Sequence, residues 1–485
     1  MTISGLCFKK IVGTKETENE KTKNEVVKLP FWKQFMSILS GYFLMAAVGT
    51  GTTWASPSLP YLTSKNSEFQ LTITQGAWLV SIGSPIGIIG YILCGTMANS
   101  IGRKFTILTF GLITLLAMIF IQSANDYTTL LIGRMIMGIG NCGCYSILTL
   151  YIGEIAHESL RGRFLTFDKM SVNIGAFLMT TAGALLSYEN MNLVMIFIPL
   201  LGIAIFPVTS ETPYYYLLKE KNQEAIDTRM KLMETDDVEM VMRDIGRMKK
   251  GIDDGKESEE SSIRELFIDP GCRRALILKL ITSATYSFSG YLAIQAYAQD
   301  IFSHSNFEIP PQFAVMIMTG AQILAALPSS QIVDFWGRRP TFLLSGILSS
   351  LSLSCVGLYF YLKSFHDVST VTWLPLIGLL SFTFSCNIGL TTIPYLYMGE
   401  LFSVKVKSVA SMITLIIEAI FSFTAKMIFP LVSHWFGIYV SFWIFALSSL
   451  FGAICVFCLA PETKGKNLEE VLELLRLKAQ KNEKC

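Results

Sequence analysis

Tyr151-Ile-Gly-Glu154-Ile and Tyr397-Met-Gly-Glu400-Leu are near copies of one another, set about half a chain apart. Two further signatures repeat at matching places. Gly95-Thr-Met-Ala-Asn99-Ser-Ile-Gly102-Arg103-Lys104 has its counterpart in Asp334-Phe-Trp-Gly337-Arg338-Arg339, and Glu211-Thr212-Pro213 has its counterpart in Pro461-Glu462-Thr463. Three matches in register mark a duplicated unit. What separates them is apolar: a bilayer core about 30 Å thick needs about 20 apolar helical residues to cross it. Twelve stretches qualify, at roughly 37–57, 77–98, 105–124, 130–153, 166–187, 193–209, 275–299, 312–333, 341–361, 372–398, 408–432 and 438–460. The fold class is therefore an all-α membrane protein of twelve transmembrane helices.

Composition agrees. Of 485 residues, 51% are hydrophobic and 16% charged, against roughly 25% charged in an ordinary soluble protein; mean hydropathy is +0.48. The net charge of +2 offers no field for nucleic acid. Four histidines, spread from His157 to His434, make no dense metal site, and ten cysteines mostly inside apolar blocks make no disulfide scaffold. Cys455 and Cys458 share a C-x-x-C spacing without histidine partners and read as core fillers. Glycines in the second and fourth spans (Gly83, Gly87, Gly90, Gly95, Gly133, Gly138, Gly140 and Gly143) read as helix-packing positions.

Residues 1–30 are polar and hold no signal-peptide core, so the first span reads as an uncleaved anchor. The positive-inside rule then orients the chain. With the N-terminus in the cytoplasm, the inward loops carry Arg103, Lys104, Arg161, Arg163, Arg338, Arg339, Lys405 and Lys407, and the outward loops hold only Lys65 and Lys363. An even number of spans returns the C-terminus to the cytoplasm. The expected organisation is a cytoplasmic tail (1–36), a six-helix bundle (37–210), a cytoplasmic helical linker with an acidic stretch (211–274), a second six-helix bundle (275–460) and a cytoplasmic tail (461–485).

Two similar bundles around one axis can rock against each other and open a central cavity to alternate faces of the membrane. Charges at the cytoplasmic ends can pair when the inner gate closes. Arg161 with Glu400 and Lys407 with Glu154 are the expected pairs, supported by Arg103, Arg134 and Arg338. Anchoring of the basic loops to anionic headgroups is the alternative.

These residues resemble the sugar-porter branch of the major facilitator superfamily, and within it insect facilitated trehalose/glucose transporters, over about residues 35–472. The most specific pieces are Gly133-Arg134, Glu154 with Arg161-Gly162-Arg163, Pro461-Glu462-Thr463-Lys464-Gly465 before Leu468-Glu469-Glu470, and Thr53-Trp54-Ala55-Ser56-Pro57. The resemblance implies two six-helix bundles, a cytoplasmic helical insert and a sugar site midway across the membrane, built from amides, hydroxyls and aromatic rings. Ser289-Gly290 matches the seventh-span pattern, but Tyr286 and Ser287 replace its two glutamines and Leu292 its asparagine. Lys169 stands where the family has a glutamine, Glu418 where close relatives often have an asparagine, and Tyr395, beside Pro394, where it has a tryptophan. Gln322 and Asn387 occupy polar family positions. The expected substrate contacts are Lys169, Tyr286, Ser287, Gln322, Asn387, Tyr395 and Glu418.

A charge near mid-membrane costs about 2.5–3.5 kcal/mol on insertion scales, so Lys169 and Glu418 must face a wet cavity or a partner. Lys169 either contacts the substrate or braces the bundle by pairing with Asp168 or Glu418; Lys426 reads as snorkelling to an interface. Tyr286, Tyr291, Tyr297 and Tyr395 are rings on which a pyranose could stack or which simply pack. Pro394 is expected to break the helix beside Tyr395. No phosphate loop appears, which argues against ATP drive. Thr50 stands where proton-coupled relatives carry an aspartate, and Asn99 replaces the family's first-half loop aspartate. The expected protein is a plasma-membrane uniporter for a hexose or trehalose-type sugar, not an enzyme, with no cofactor, no metal and no obligate protein partner. A carrier of charged or zwitterionic solutes and a non-transporting sensor are the rival readings.

Overall fold

The computed structural model describes residues 31–65, 67, 69–235, 237–256, 259–466 and 470–476. The terminal stretches 1–30 and 477–485, part of the acidic run at Glu257-Ser258, and Leu468-Glu469 lie outside them. All regular structure among the described residues is helical. In the first half, α1 (Phe31–Thr53) continues through a bend at Trp54 into α2 (Ala55–Leu62), and α3 (Ile73–Ser81) continues into α4 (Gly83–Ile101). Then follow α5 (Arg103–Gln122), α6 (Tyr127–Ile155), α7 (Glu158–Leu185) and α8 (Tyr188–Ile205). The linker folds as α9 (Pro213–Leu218), α10 (Asn222–Met233), α11 (Val238–Lys256) and α12 (Glu259–Ile268). The second half comprises α13 (Pro270–Phe288), α14 (Tyr291–Ala296), α15 (Ala298–Ser303), α16 (Pro311–Trp336), α17 (Arg338–Lys363), α18 (Leu374–Ile388), α19 (Ile393–Glu400), α20 (Val404–Phe436) and α21 (Ile438–Leu459).

Among the described residues, ten helical stretches are long and apolar enough to cross a membrane, and they coincide with ten of the twelve expected spans. The other two are also helical but more polar. α7 carries Arg161, Arg163, Asp168 and Lys169, and α13 carries Arg273, Arg274 and Lys279 before the chain breaks at Gly290. Arg161, Arg163, Arg273 and Arg274 lie in the first turns of these helices, and only Asp168, Lys169 and Lys279 fall deeper, where a charge needs a polar partner.

The packing repeats as the sequence does. In the first half α1 packs on α7 and α8, α4 and α5 on α6, and α5 on α8. In the second half α13 packs on α20 and α21, α16 and α17 on α18, and α17 on α21. The halves meet through α7 with α16, α4 with α20, and α2 with α15. Small residues let the helices inside a half come backbone to backbone: an added Cβ would strike main chain at Gly138 against Gly83, at Gly90 against Ile139, and at Gly49 against Val172. Gly95, by contrast, faces open space. Cys455 is half-buried and Cys458 exposed on α21, so at least Cys458 fills no core. A residue facing lipid can be as apolar as one facing protein, which the sequence pattern alone does not separate.

The corner between α4 and α5 needs Gly102 at φ 96°, ψ 163°, and the corner between α16 and α17 needs Gly337 at φ 91°, ψ 167°. That region is essentially closed to side chains, and a Cβ on Gly337 would also lie 2.9 Å from the Glu462 carboxylate. Gly337→Ala is expected to lower stability by about 1–3 kcal/mol, read as an earlier thermal midpoint in detergent. Gly399→Ala, in a helix with open space around the added methyl, is expected to match or exceed the parent.

Candidate functional site

At the end of the bundle that carries the linker, each half builds the same charged cluster. Arg103 grips Glu154, with Nε 2.9 Å from Oε2 and Nη2 3.0 Å from Oε1, and Thr212 donates its hydroxyl to the same carboxylate at 2.6 Å. Glu211 accepts the amides of Arg103 at 3.0 Å and Lys104 at 3.2 Å, closing the N-terminus of α5. Burial pushes the Glu211 carboxyl above its usual range, while those amides pull it back down. In the second half Arg338 holds Glu400 at 2.8 Å, Thr463 donates to Glu400 at 2.5 Å, and Glu462 accepts the amides of Arg338 at 2.9 Å and Arg339 at 3.1 Å. The copies differ where the sequence differs. Asp334 adds a carboxylate 3.2 Å from Arg338, while the matching Asn99 is exposed and Arg103 instead donates to the Ala98 carbonyl at 2.9 Å.

The expected pairs between halves, Arg161 with Glu400 and Lys407 with Glu154, are not formed. Both carboxylates are already held by an arginine and a threonine of their own half, and Arg161 and Lys407 are exposed. Among the described residues no hydrogen bond or ion pair joins the halves at this end. Arg134 takes no part here either. It stands twenty residues before Glu154 on α6, about 30 Å at about 1.5 Å per residue. There it donates to the Gly51 carbonyl at 2.8 Å and the Leu79 carbonyl at 3.2 Å and lies over the Trp54 ring. Trp54 is fixed in turn by donating to Asn192 at 2.7 Å.

The halves close on each other at the opposite end. The hydroxyls of Thr180 and Thr319 lie 2.7 Å apart, those of Ser84 and Ser422 3.3 Å apart, and the Gln299 amide donates to Ser56 at 3.1 Å. Trp78 packs on Phe423. Lys426 does not snorkel: its ammonium donates to Ser84 at 2.6 Å, across the seam between α20 and α4, where a hydroxyl of the other half gives it a partner. The molecule is thus closed at the far end and parted at the linker end.

Between these ends lies the polar centre, where two helices are interrupted. Gly290, at φ 81°, separates α13 from α14, and a Cβ there would strike the Phe445 ring. α18 ends at Ile388 and α19 begins at Ile393. Ser345 holds this second gap, donating to the Ser385 carbonyl at 2.5 Å and accepting the Leu390 amide at 3.0 Å. Pro394 is not itself the break. It sits in the first turn of α19, where its missing N–H leaves no bond unmade.

Lys169 reaches from α7 into this gap and donates to the Thr392 hydroxyl at 3.2 Å; Thr392 donates onward to the Asn387 carbonyl at 3.0 Å. Neither expected brace of Lys169 is made. Glu418 belongs instead to Lys279, whose Nζ lies 3.5 Å from Oε2, with Ser283 donating to the same oxygen at 3.2 Å. Asn387 and Gln322 are buried, and both donate to the Tyr291 hydroxyl. They therefore position Tyr291, whose ring neighbours Tyr286 at 5.9 Å. Tyr395 is 44% exposed and faces Tyr145 of the other half at 6.3 Å between ring centres. Tyr297 donates to the Lys426 carbonyl. Ser287 is fully buried, its hydroxyl without a partner among the described residues, so it presents nothing to a cavity.

The structure thus gathers Lys169, Asn387, Gln322, Tyr286, Tyr291, Tyr395 and Glu418 near mid-depth, and adds Lys279, Thr392 and Tyr145. Lys279 was legible as a charge inside an apolar span; Thr392 and Tyr145 carried no such signal. Lys279→Ala is expected to strand Glu418 in a buried site and cost about 3–5 kcal/mol, whereas Lys279→Met with Glu418→Leu recovers most of it. Melting of the purified variants checks both.

The sequence profile described as "Sugar (and other) transporter" matches residues 31–475. The facilitated trehalose transporter Tret1 of Apis mellifera ligustica is 28% identical over 456 residues, covering 92% of this chain and 89% of the bee protein. The protein of the same name from Anopheles gambiae is 26% identical, and this chain, matched over 94% of its length, spans only 58% of it. The inward-open xylose transporter XylE from E. coli superposes with a TM-score of 0.76 at 18% identity, covering 91% of this chain and 99% of that one; at that identity the likeness speaks for the fold. With a profile matched across nearly its whole length, the chain belongs to the sugar (and other) transporter family of the major facilitator superfamily, multi-pass membrane carriers rather than enzymes.

Proposed function

We propose that the protein is a facilitative carrier of a small polyhydroxylated solute, of the hexose or trehalose type named in its relatives, working by alternating access in the plasma membrane with both termini cytoplasmic. The observation that carries this reading is the shape of the centre. Two interrupted helices, aromatic rings from both halves, and side-chain amides and hydroxyls surround a space between halves that are joined at one end and parted at the other. Rings suit the apolar face of a sugar, and hydroxyls and amides suit its edge. The basic loops lie at the parted end, so the cavity of this state opens to the cytoplasm.

Substrate contacts fall to Lys169, Tyr286, Tyr395 and Glu418, with Gln322 and Asn387 acting through Tyr291. Arg103–Glu154 and Arg338–Glu400 keep each half rigid as the halves rock. In an outward-open state, Arg161 and Lys407 approach the opposite half. Uniport is supported by Thr50, which is buried and donates within its own helix to the Ala47 carbonyl at 2.7 Å where proton-coupled relatives carry a carboxylate.

Oocytes expressing the chain are expected to take up radiolabelled glucose or trehalose saturably, and equally at external pH 5.5 and 7.5. A surface-labelled protein that moves neither sugar would remove this reading. Uptake that rises steeply at the lower pH would remove uniport alone.

A further inference from the structure

The charges at mid-depth are unevenly matched. Lys279 and Glu418 answer each other. Asp168 and Lys169 are neighbours in α7, and adjacent residues of a helix point about 100° apart. Asp168 is 5% exposed and lies near both Tyr42 of α1 and Tyr145 of α6, while the Lys169 ammonium reaches across the seam to Thr392. Among the described residues, the Lys169 ammonium has no carboxylate within ion-pair distance. Its one hydrogen bond goes to a hydroxyl whose own proton is given to Asn387, and two of its N–H donors are left over. Lys426 is answered by a hydroxyl and Arg134 by carbonyls and a thioether. The charges at mid-depth balance in number but not in place: Glu418 is taken by Lys279, and no carboxylate reaches the Lys169 ammonium, which faces the seam between the halves.

We propose that Lys169 is an anion-binding subsite of the central cavity, and that the carrier accepts a sugar bearing a single carboxylate. The proposal rests on the transport reading above and narrows its substrate class. An unanswered ammonium in a membrane interior is costly, and one hydroxyl contact is a poor return if Lys169 only braces the bundle. A solute carboxylate satisfies the free donors in a charge-assisted bond. A lone ammonium is a point charge suited to a monoanion, without the planar fork that matches a larger oxyanion on two edges. The exposed Tyr395 ring begins three residues beyond Thr392, so a sugar ring held by its carboxylate at Lys169 lies against it.

The test uses the full chain in oocytes with surface labelling. Uptake of radiolabelled glucuronate and glucose is measured side by side, with unlabelled glucuronate and lactate as competitors. The parent is expected to carry glucuronate, with glucuronate but not lactate competing against glucose. Lys169→Gln is expected to lower the glucuronate-to-glucose uptake ratio about tenfold or more, the scale of one charged contact, and Lys169→Arg to retain most of it. Glucose carried without glucuronate uptake or competition overturns the subsite and leaves the carrier reading standing. Lactate competing as well as glucuronate overturns the sugar-acid class. Failure to carry glucuronate or glucose overturns the subsite, and failure to carry trehalose as well removes the carrier reading with it. An unchanged ratio in Lys169→Gln, with glucuronate carried, places the anion elsewhere and overturns the role of Lys169.

Discussion

At the edge of a bilayer the first turn of a helix has amides that neither lipid nor its own carbonyls can satisfy, and Glu211 and Glu462 exist to answer them. Each carboxylate seats itself over a helix start only because a glycine leaves the room, which ties the Gly102 and Gly337 corners to residues more than a hundred positions away. The same corners aim Arg103 and Arg338 at Glu154 and Glu400. Two helix ends, a corner and a third helix are thereby locked in each half by one buried charge network. Because that network is internal to a half, the halves can move relative to each other without disturbing it.

The centre obeys the opposite rule. Helices are interrupted at Gly290 and between α18 and α19, and the freed backbone is satisfied locally by Ser345 and Thr392. Irregular backbone at membrane depth survives where it borders protein or water rather than lipid. The charges follow the same logic: Glu418 survives on a largely apolar helix because Lys279 stands across from it, and Lys169 survives because the seam is polar. Polar side chains thus concentrate at the centre, while one apolar core runs through both halves around them.

Most of the architecture was legible from the chain alone. Apolar blocks and basic loops are local features, and the repeated signatures gave the halves without a structure. What was not legible was partnership. Glu154 faces both Arg103 and, in principle, Lys407; only the turn of α5 decides between them. Glu418 had two lysines to choose from, and the one that holds it lies in a span read first for its apolarity. Arg134 carries a signature shared with the gate yet lies at the far end of the same helix, because a span has two ends and a motif does not say which. Pro394 pointed to a real interruption but sat just past it, since a proline fits a first helical turn better than it breaks one.

The polar contacts of the closed seam are hydroxyl pairs, one amide and one ammonium on a serine, and a ring pair and helix packing join them. Each of those hydrogen bonds is worth on the order of 1 kcal/mol once water can replace it, whereas the clusters inside each half are ion pairs, buried in the first half and half-buried in the second. Mechanically the molecule is two stiff bodies joined by a compliant strip. A load from bilayer thickness or lateral pressure is therefore taken up along that strip before it bends either body, which makes the carrier's opening sensitive to the lipids that surround it.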